Sequence, residues 1–146
     1  MRRTMMKSKI HRATVTGADL NYVGSISLDP DLMAEADIFE WEKVHVLDSD
    51  NGARFETYAI LGRPGEVTLN GAAARLVHTG DRVIVITYAE YDEAELEGFR
   101  PTIVHVDDRN QAVPDPDAAD PASTGPVSAD PLSADPASTV HLAELG

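Results

Sequence analysis

Lys43-Val44-His45-Val46-Leu47-Asp48-Ser49-Asp50-Asn51-Gly52-Ala53-Arg54-Phe55-Glu56-Thr57-Tyr58-Ala59-Ile60 carries the clearest β-hairpin pattern in the chain. Lys43 to Leu47 alternates in the period-2 manner of a strand. Asp50-Asn51-Gly52 supplies turn residues that accept positive φ, and Ala53 to Ile60 returns as a second strand. Alternation along that strand places Arg54, Glu56, Tyr58 and Ile60 on one face and Phe55, Thr57 and Ala59 on the other. Working outward, Pro64-Gly65 precedes a short strand at Glu66–Leu69, and Asn70-Gly71 turns the chain before Ala72-Ala73-Ala74. Arg82–Tyr88 is so rich in β-branched residues that burial on both faces is expected. Pro101–Val106 reads as a last strand. Asp29 can cap a helix that starts at Pro30 and runs through Ala36, and Asp92 to Glu97 reads as a second, acidic helix. About six strands, two short helices and tight turns predict a mainly β fold closed into a small barrel, because closure removes exposed edges.

The chain has 146 residues, enough for one domain with one modest core. It contains no cysteine, which excludes a disulfide framework, a thiolate nucleophile and a Cys-based metal site, and suits a reducing cytosol. No apolar run follows the basic start Met1–Lys7, and no stretch approaches the roughly 18 apolar residues of a membrane span. A soluble, cytoplasmic protein is expected. The net charge is −13 and unevenly spread: five Lys/Arg face one Asp in residues 1–25, and seven face 18 acids in residues 26–111. Such acidity argues against nucleic acid as a partner, because phosphate binding needs a basic face. From Ala112 onward come six of the nine prolines and no aromatic, Lys or Arg, with Asp-Pro repeated at 115, 120, 130 and 135. Residues 112–146 are therefore expected to be a disordered tail beside a folded domain of residues 1–111.

Chemistry is best sought in Leu20-Asn21-Tyr22-Val23-Gly24-Ser25-Ile26, because a serine directly after glycine can attack the peptide bond that precedes it. Elsewhere the sequence is unpromising. None of the five histidines sits at i, i+4 from another, so a metal site is not expected. No nucleophile elbow, dinucleotide fingerprint or Walker loop occurs. A triad of Ser25, His11 and Asp19 has only residue type in its favour.

Taken in order, Met5, Lys9-Ile10-His11-Arg12, Val15-Thr16, Ala18-Asp19-Leu20, Tyr22, Gly24-Ser25, Asn51-Gly52, Arg54-Phe55, Thr57–Ile60, Asn70–Ala74 and Gly80-Asp81 closely resemble the pyruvoyl-dependent aspartate 1-decarboxylases of the pantothenate pathway. The resemblance covers about residues 1–105. It implies a double-psi β-barrel in a homotetramer with sites between adjacent subunits. It also implies self-cleavage into residues 1–24 and 25–146, with a pyruvoyl group formed from Ser25. By that route Ser25 Oγ attacks the Gly24 carbonyl, and ester formation, β-elimination and hydrolysis follow. Thr57 matches the donor to the developing oxyanion. Lys9 and Arg54 match the residues that hold the carboxylates of L-aspartate. Tyr58 matches the acid that protonates the α-carbon, Tyr22 and His11 line the site, and Asn70, Gly71, Ala72 and Ala73 form its wall.

Decarboxylation at the α-carbon needs an electron sink conjugated to the substrate amine. A backbone ketone supplies one through a Schiff base. No pyridoxal phosphate site is evident, and only Lys7, Lys9 and Lys43 could anchor that cofactor. The products would be β-alanine and carbon dioxide. Two readings stay open beside this one: a non-catalytic barrel that binds an acidic metabolite or a protein partner, and a self-cleaved hydrolase with an N-terminal serine nucleophile. Strand alternation also leaves a conflict, since Thr57 and Tyr58 cannot face one pocket unless the strand bulges or a second subunit contributes.

Overall fold

The Asp48–Gly52 turn forms because its own side chains and glycine satisfy it. In the computed structural model, which describes residues 1–117, Asp48 Oδ1 accepts the Asp50 and Asn51 N–H groups at 2.8 and 3.3 Å. Gly52 takes φ +78°, which a side chain would resist. Nine strands result: β1 (Arg2–Thr14), β2 (Gly17–Asp19), β3 (Ser25–Leu28), β4 (Lys43–Asp48), β5 (Arg54–Leu61), β6 (Val67–Asn70), β7 (Arg82–Asp92), β8 (Thr102–Val106) and β9 (Ala112–Val113). Between them lie helix α1 (Pro30–Glu35) and two 3₁₀ turns, Gly71–Leu76 and Glu93–Leu96.

The fold is mainly β, and the strands form one row in the order β2-β6-β3-β5-β4-β7-β1-β8-β9. Ladders among the described residues do not join its two ends, so the closed ring expected from the turns is not completed by strand pairing. The row nonetheless rolls up. β1 and β2 are six strand spacings apart, roughly 29 Å in a flat sheet, yet only Val15 and Thr16 connect them, a reach of about 11 Å. At that junction single bonds replace a ladder, from Val15 N–H to Asp81 O and from Thr16 N–H to Val67 O. The consecutive strands β2 and β3 do not pair with each other. They flank β6, β2 parallel to it and β3 antiparallel, so the Leu20–Gly24 loop crosses over the end of β6.

Inside the roll lie Ile10, Val15, Ile26, Leu28, Val44, Val46, Val67, Leu69, Val83 and Val85, each at most 1 % exposed. The expectation for Arg82–Tyr88 needs correction. Only Val83, Val85 and Thr87 are buried, while Arg82, Ile84 and Ile86 on the opposite face are half-buried. The cause is an antiparallel setting between β1 and β4, with one face in the core. Helix α1 starts as predicted, with Asp29 accepting the Asp31 N–H at 2.8 Å and Pro30 in the first turn. The acidic segment after Asp92 tightens into a single 3₁₀ turn, closed by Glu95 on the Asp92 N–H. β9 shows that the change of composition at Ala112 is not the end of the sheet, because Val106 and His105 still find partners in Ala112 and Val113. The rest of the expected tail, from residue 118, lies outside the described residues.

Candidate active site

Ser25 opens β3 directly opposite Asn70, the last residue of β6. Ile26 and Leu28 point into the core, so Ser25 and Ser27 share the other face, where the Asn70 side chain covers them. Asn70 Nδ2 donates to both hydroxyls at 3.0 Å, and the Ser25 hydroxyl donates to the Val23 carbonyl at 3.1 Å. Ser25 is 1 % exposed and Asn70 3 %. A buried hydroxyl is thus fixed beside the peptide bond that precedes it.

The residue before it is held by contact. Gly71 adopts φ +65°, and a Cβ built there would meet Gly24 Cα at 2.7 Å, Gly24 N at 2.8 Å and Tyr22 O at 3.1 Å. Gly24 itself has space, because its nearest neighbour would be Asn70 O at 3.9 Å. Of the two glycines, Gly71 is the one that the packing demands. The 3₁₀ turn that follows carries Ala72 to the surface and leaves Ala73 half-buried against the core.

β5 lies parallel to β3, with Ile26 paired to Ala59. One residue back, that register brings Ser25 alongside Tyr58, and Gly24 comes towards Thr57. The β4–β5 ladder is unbroken from Arg54 to Tyr58, so no bulge turns Thr57 and Tyr58 to the same side. Tyr58 shares the Ser25 face and Thr57 faces the core. Tyr22 lies exposed in the crossover loop. The structure therefore gathers Tyr22, Gly24, Ser25, Thr57, Tyr58, Asn70 and Gly71.

Three predicted residues lie elsewhere within the chain. Arg54 is exposed at the far end of β5, about 13 Å along the strand from Tyr58. Lys9 and His11 are on β1, three strands beyond β5 in the row. There Arg12 takes φ +62° in a bulge, so that Ile10 and Ala13 both face the core and His11 turns outward. The His11 ring meets His105 edge-on at 5.6 Å, and its Nδ1 has no hydrogen-bond partner among the described residues. Burial, and then the charge of Lys9, lowers the His11 pKa below 6.5.

The sequence reading missed a carboxyl pair. Asp48, buried at the end of β4, faces Asp81 across the turn before β7, with Asp50 close by. Burial, and then the neighbouring Asp81 carboxyl, push the Asp48 pKa up, and the presence of Asp48 pulls that of Asp81 down. Two surface hollows occur near the loop before β4 and on the outer face of β4, and neither includes Ser25. Among the described residues no helix is long and apolar enough to cross a membrane.

The aspartate decarboxylase family model matches residues 1–113, ending at β9. The chain is 59 % identical over 117 residues to the aspartate 1-decarboxylase of Heliobacterium modesticaldum, covering 79 % of this chain and 89 % of that one. It is 58 % identical over 112 residues to the enzyme of that name from Acetivibrio thermocellus, covering 75 % and 89 %. Against the aspartate 1-decarboxylase of Wolinella succinogenes the identity is 53 % over 115 residues, covering 77 % and 95 %.

Proposed function

The chain belongs to the aspartate decarboxylase family, and from that premise we propose how its own residues prepare and perform the reaction. It is an enzyme that removes carbon dioxide from L-aspartate to give β-alanine. The proposal is that Ser25 processes itself. Its Oγ adds to the Gly24 carbonyl, the peptide C–N bond breaks in favour of an ester, and loss of the Gly24 carboxylate together with the Ser25 α-proton by β-elimination leaves a dehydroalanine end whose amine is free, an enamine that tautomerises to an imine. Water then releases ammonia and leaves a pyruvoyl group on the new chain.

The observation that carries this reading is the hydroxyl of Ser25, buried and held by Asn70 while Gly71 packs on Gly24. A serine with only a structural role would not need its upstream neighbour held this closely. The site fits the pyruvoyl group, since a small planar ketone replaces Ser25 on a face bounded by Asn70, Ser27 and Tyr58. When present, that ketone supplies the electron sink for decarboxylation. Thr57, beside Gly24, is assigned as donor to the oxyanion formed during cleavage. The Tyr58 hydroxyl, on the Ser25 face, is assigned to deliver the proton to the α-carbon. Asn70 to Ala73 form the close wall, Tyr22 lines it, and His11, remote from Ser25 within one chain, is assigned to the lining from a neighbouring subunit. This chemistry needs neither a metal nor pyridoxal phosphate.

Lys9 and Arg54 are assigned to the two carboxylates of the substrate. Their distance from Ser25 within one chain supports a homotetramer in which a neighbouring subunit brings them in. Exposed Tyr22, Val23, Phe39 and Leu61 give such an assembly apolar surface to bury. The β2–β6–β3 crossover supports one of the two crossings of a double-psi barrel. The decarboxylase domain is assigned to residues 1–111, lengthened by β9 to Val113, with the remainder as a tail. A cytoplasmic role in pantothenate synthesis completes the proposal.

Intact-mass measurement tests it. Purified protein should separate into Met1–Gly24 and a chain that starts at residue 25 and reacts with a hydrazine. Ser25→Ala should remain one piece and form no β-alanine, while light scattering finds a tetramer. A wild-type chain that stays whole refutes the proposal in favour of a binding module. A free amino terminus on the larger fragment would favour the serine hydrolase.

A further inference from the structure

Trp41 stands third in the Phe39–Glu42 turn, which the Glu42 N–H closes on Phe39 O at 3.0 Å, a position that asks for positive φ and is ordinarily filled by glycine or asparagine. It is a bulky residue at φ +74°, a left-handed conformation that costs roughly 1–2 kcal/mol. It is also 67 % exposed, so burial does not offset the strain. Backbone strain of this kind concentrates where a side chain must be presented in one place. The indole is presented to Tyr58, with ring centroids 5.7 Å apart and planes inclined by 32°.

The loop before β4 is tied down so as to keep it there. Trp41 N–H donates to Ala59 O at 2.7 Å, and Ala59 N–H donates to Glu42 O at 3.0 Å, so the loop backbone is bonded to the residue next to Tyr58. Glu42 in turn accepts the Phe39 N–H at 2.8 Å and pairs with Lys7 of β1 at 2.7 Å, both partners largely buried. Lys7 also donates to the Asp37 carbonyl, which fixes the start of the loop. A half-buried tyrosine on an open strand face would otherwise move among rotamers.

We infer that Trp41 is a positioning residue for the Tyr58 phenol, holding its ring so that the hydroxyl stays on the Ser25 side. The inference rests on the role assigned to Tyr58 above. Trp41 touches no reacting atom in this account. Its loss should therefore slow protonation and leave the grip on the substrate unchanged.

The test compares wild type, Trp41→Gly and Trp41→Phe, each purified as the processed assembly. Trp41→Gly removes the strain, so its melting temperature should equal or exceed that of wild type. Its kcat should fall about tenfold, with KM unchanged and fragment yield complete. Trp41→Phe keeps a ring on Tyr58 and should recover much of the loss. The chain has one tryptophan, so fluorescence gives a second readout: succinate, a non-reactive dicarboxylate, should shift the emission in wild type and not in Tyr58→Ala. Wild-type kcat in Trp41→Gly would overturn the inference. So would a loss of kcat accompanied by dissociation of the assembly, which would make Trp41 an interface contact. A wild-type enzyme that is uncleaved and forms no β-alanine would defeat the functional reading itself, which separates the two failures.

Discussion

Replacing Gly71 with alanine should separate folding from the proposed self-cleavage. The added Cβ would sit 2.7 Å from Gly24 Cα and 2.8 Å from Gly24 N, where carbon contacts are comfortable only at about 3.5–4.0 Å. One of the two backbones must yield by roughly 1 Å. Alanine at φ +65° adds about 1–2 kcal/mol of conformational cost, which a domain of this size can bear. Ser25 stays behind, because Asn70 and the β3–β6 ladder hold it. The displacement therefore falls on the gap between Oγ and the Gly24 carbonyl carbon that the proposed attack has to close. A misplacement of that size can cost on the order of 100-fold in rate. Gly71→Ala should accumulate as intact, folded precursor, with a cleavage half-time longer by about that factor, followed by mass spectrometry beside a thermal melt. Gly24→Ala, whose Cβ has room, is the control and should melt like wild type. A folded Gly71→Ala protein that cleaves at the wild-type rate would refute the claim that the Gly71–Gly24 contact sets the geometry.

Asp48→Asn should stabilise the protein at neutral pH by about 1 kcal/mol, because a neutral amide is buried at lower cost than a carboxyl group facing Asp81 and can donate to it. The raised pKa of Asp48 means that the folded chain holds a proton that the unfolded chain releases. This contribution is present below about 3.8 and fades as pH rises to the folded value, opposed by the lowered pKa of Asp81. Melting temperature against pH should lose that dependence in the variant, and a lower melting temperature at pH 7 would contradict the cost assigned to a second carboxyl group at that position. His11 has its pKa lowered mainly by burial, so the unfolded chain binds the proton more readily. Stability is complete above 6.5 and should decline as pH falls from there towards the folded value. His11→Gln should flatten that part of the profile, measured by the same melts.

The hairpin of β4 and β5 was legible because its turn residues and its alternation agree, and because both strands have one face in the core. β1, the longest strand, was not foreseen, for a reason visible in its packing. Two irregularities in its pairing, at Lys7 and at Arg12, break the period of two. One of its inward residues is Ser8, paired with the buried Thr87 hydroxyl instead of an apolar neighbour. A strand that buries Ser8, Ile10 and Ala13 while exposing Arg12 carries no hydrophobic rhythm. The site divides in the same way. Gly24-Ser25 is a local signal, and the family resemblance supplied its neighbours. The contact with Asn70 depends on two strands 45 residues apart. Nothing in the run Asp37–Glu42 indicates that Trp41 will take a left-handed conformation against Tyr58.

The crossover explains why these groups converge. Two consecutive strands that paired directly would carry a short hairpin, with Gly24 in its turn and exposed to water on both sides. Inserting β6 between β2 and β3 forces the Leu20–Gly24 loop over the end of β6, where the chain must turn at Asn70-Gly71. Two turns then cross in one place. Only a residue without a Cβ, in a conformation that favours glycine, lets the lower one pass beneath the upper. The crossing also puts the Asn70 amide within reach of Ser25, because the last residue of β6 is opposite the first of β3. Strand order thus brings the Ser25 hydroxyl, its upstream carbonyl and a polar anchor together, and the same crossing supplies the confinement that the proposed self-cleavage needs.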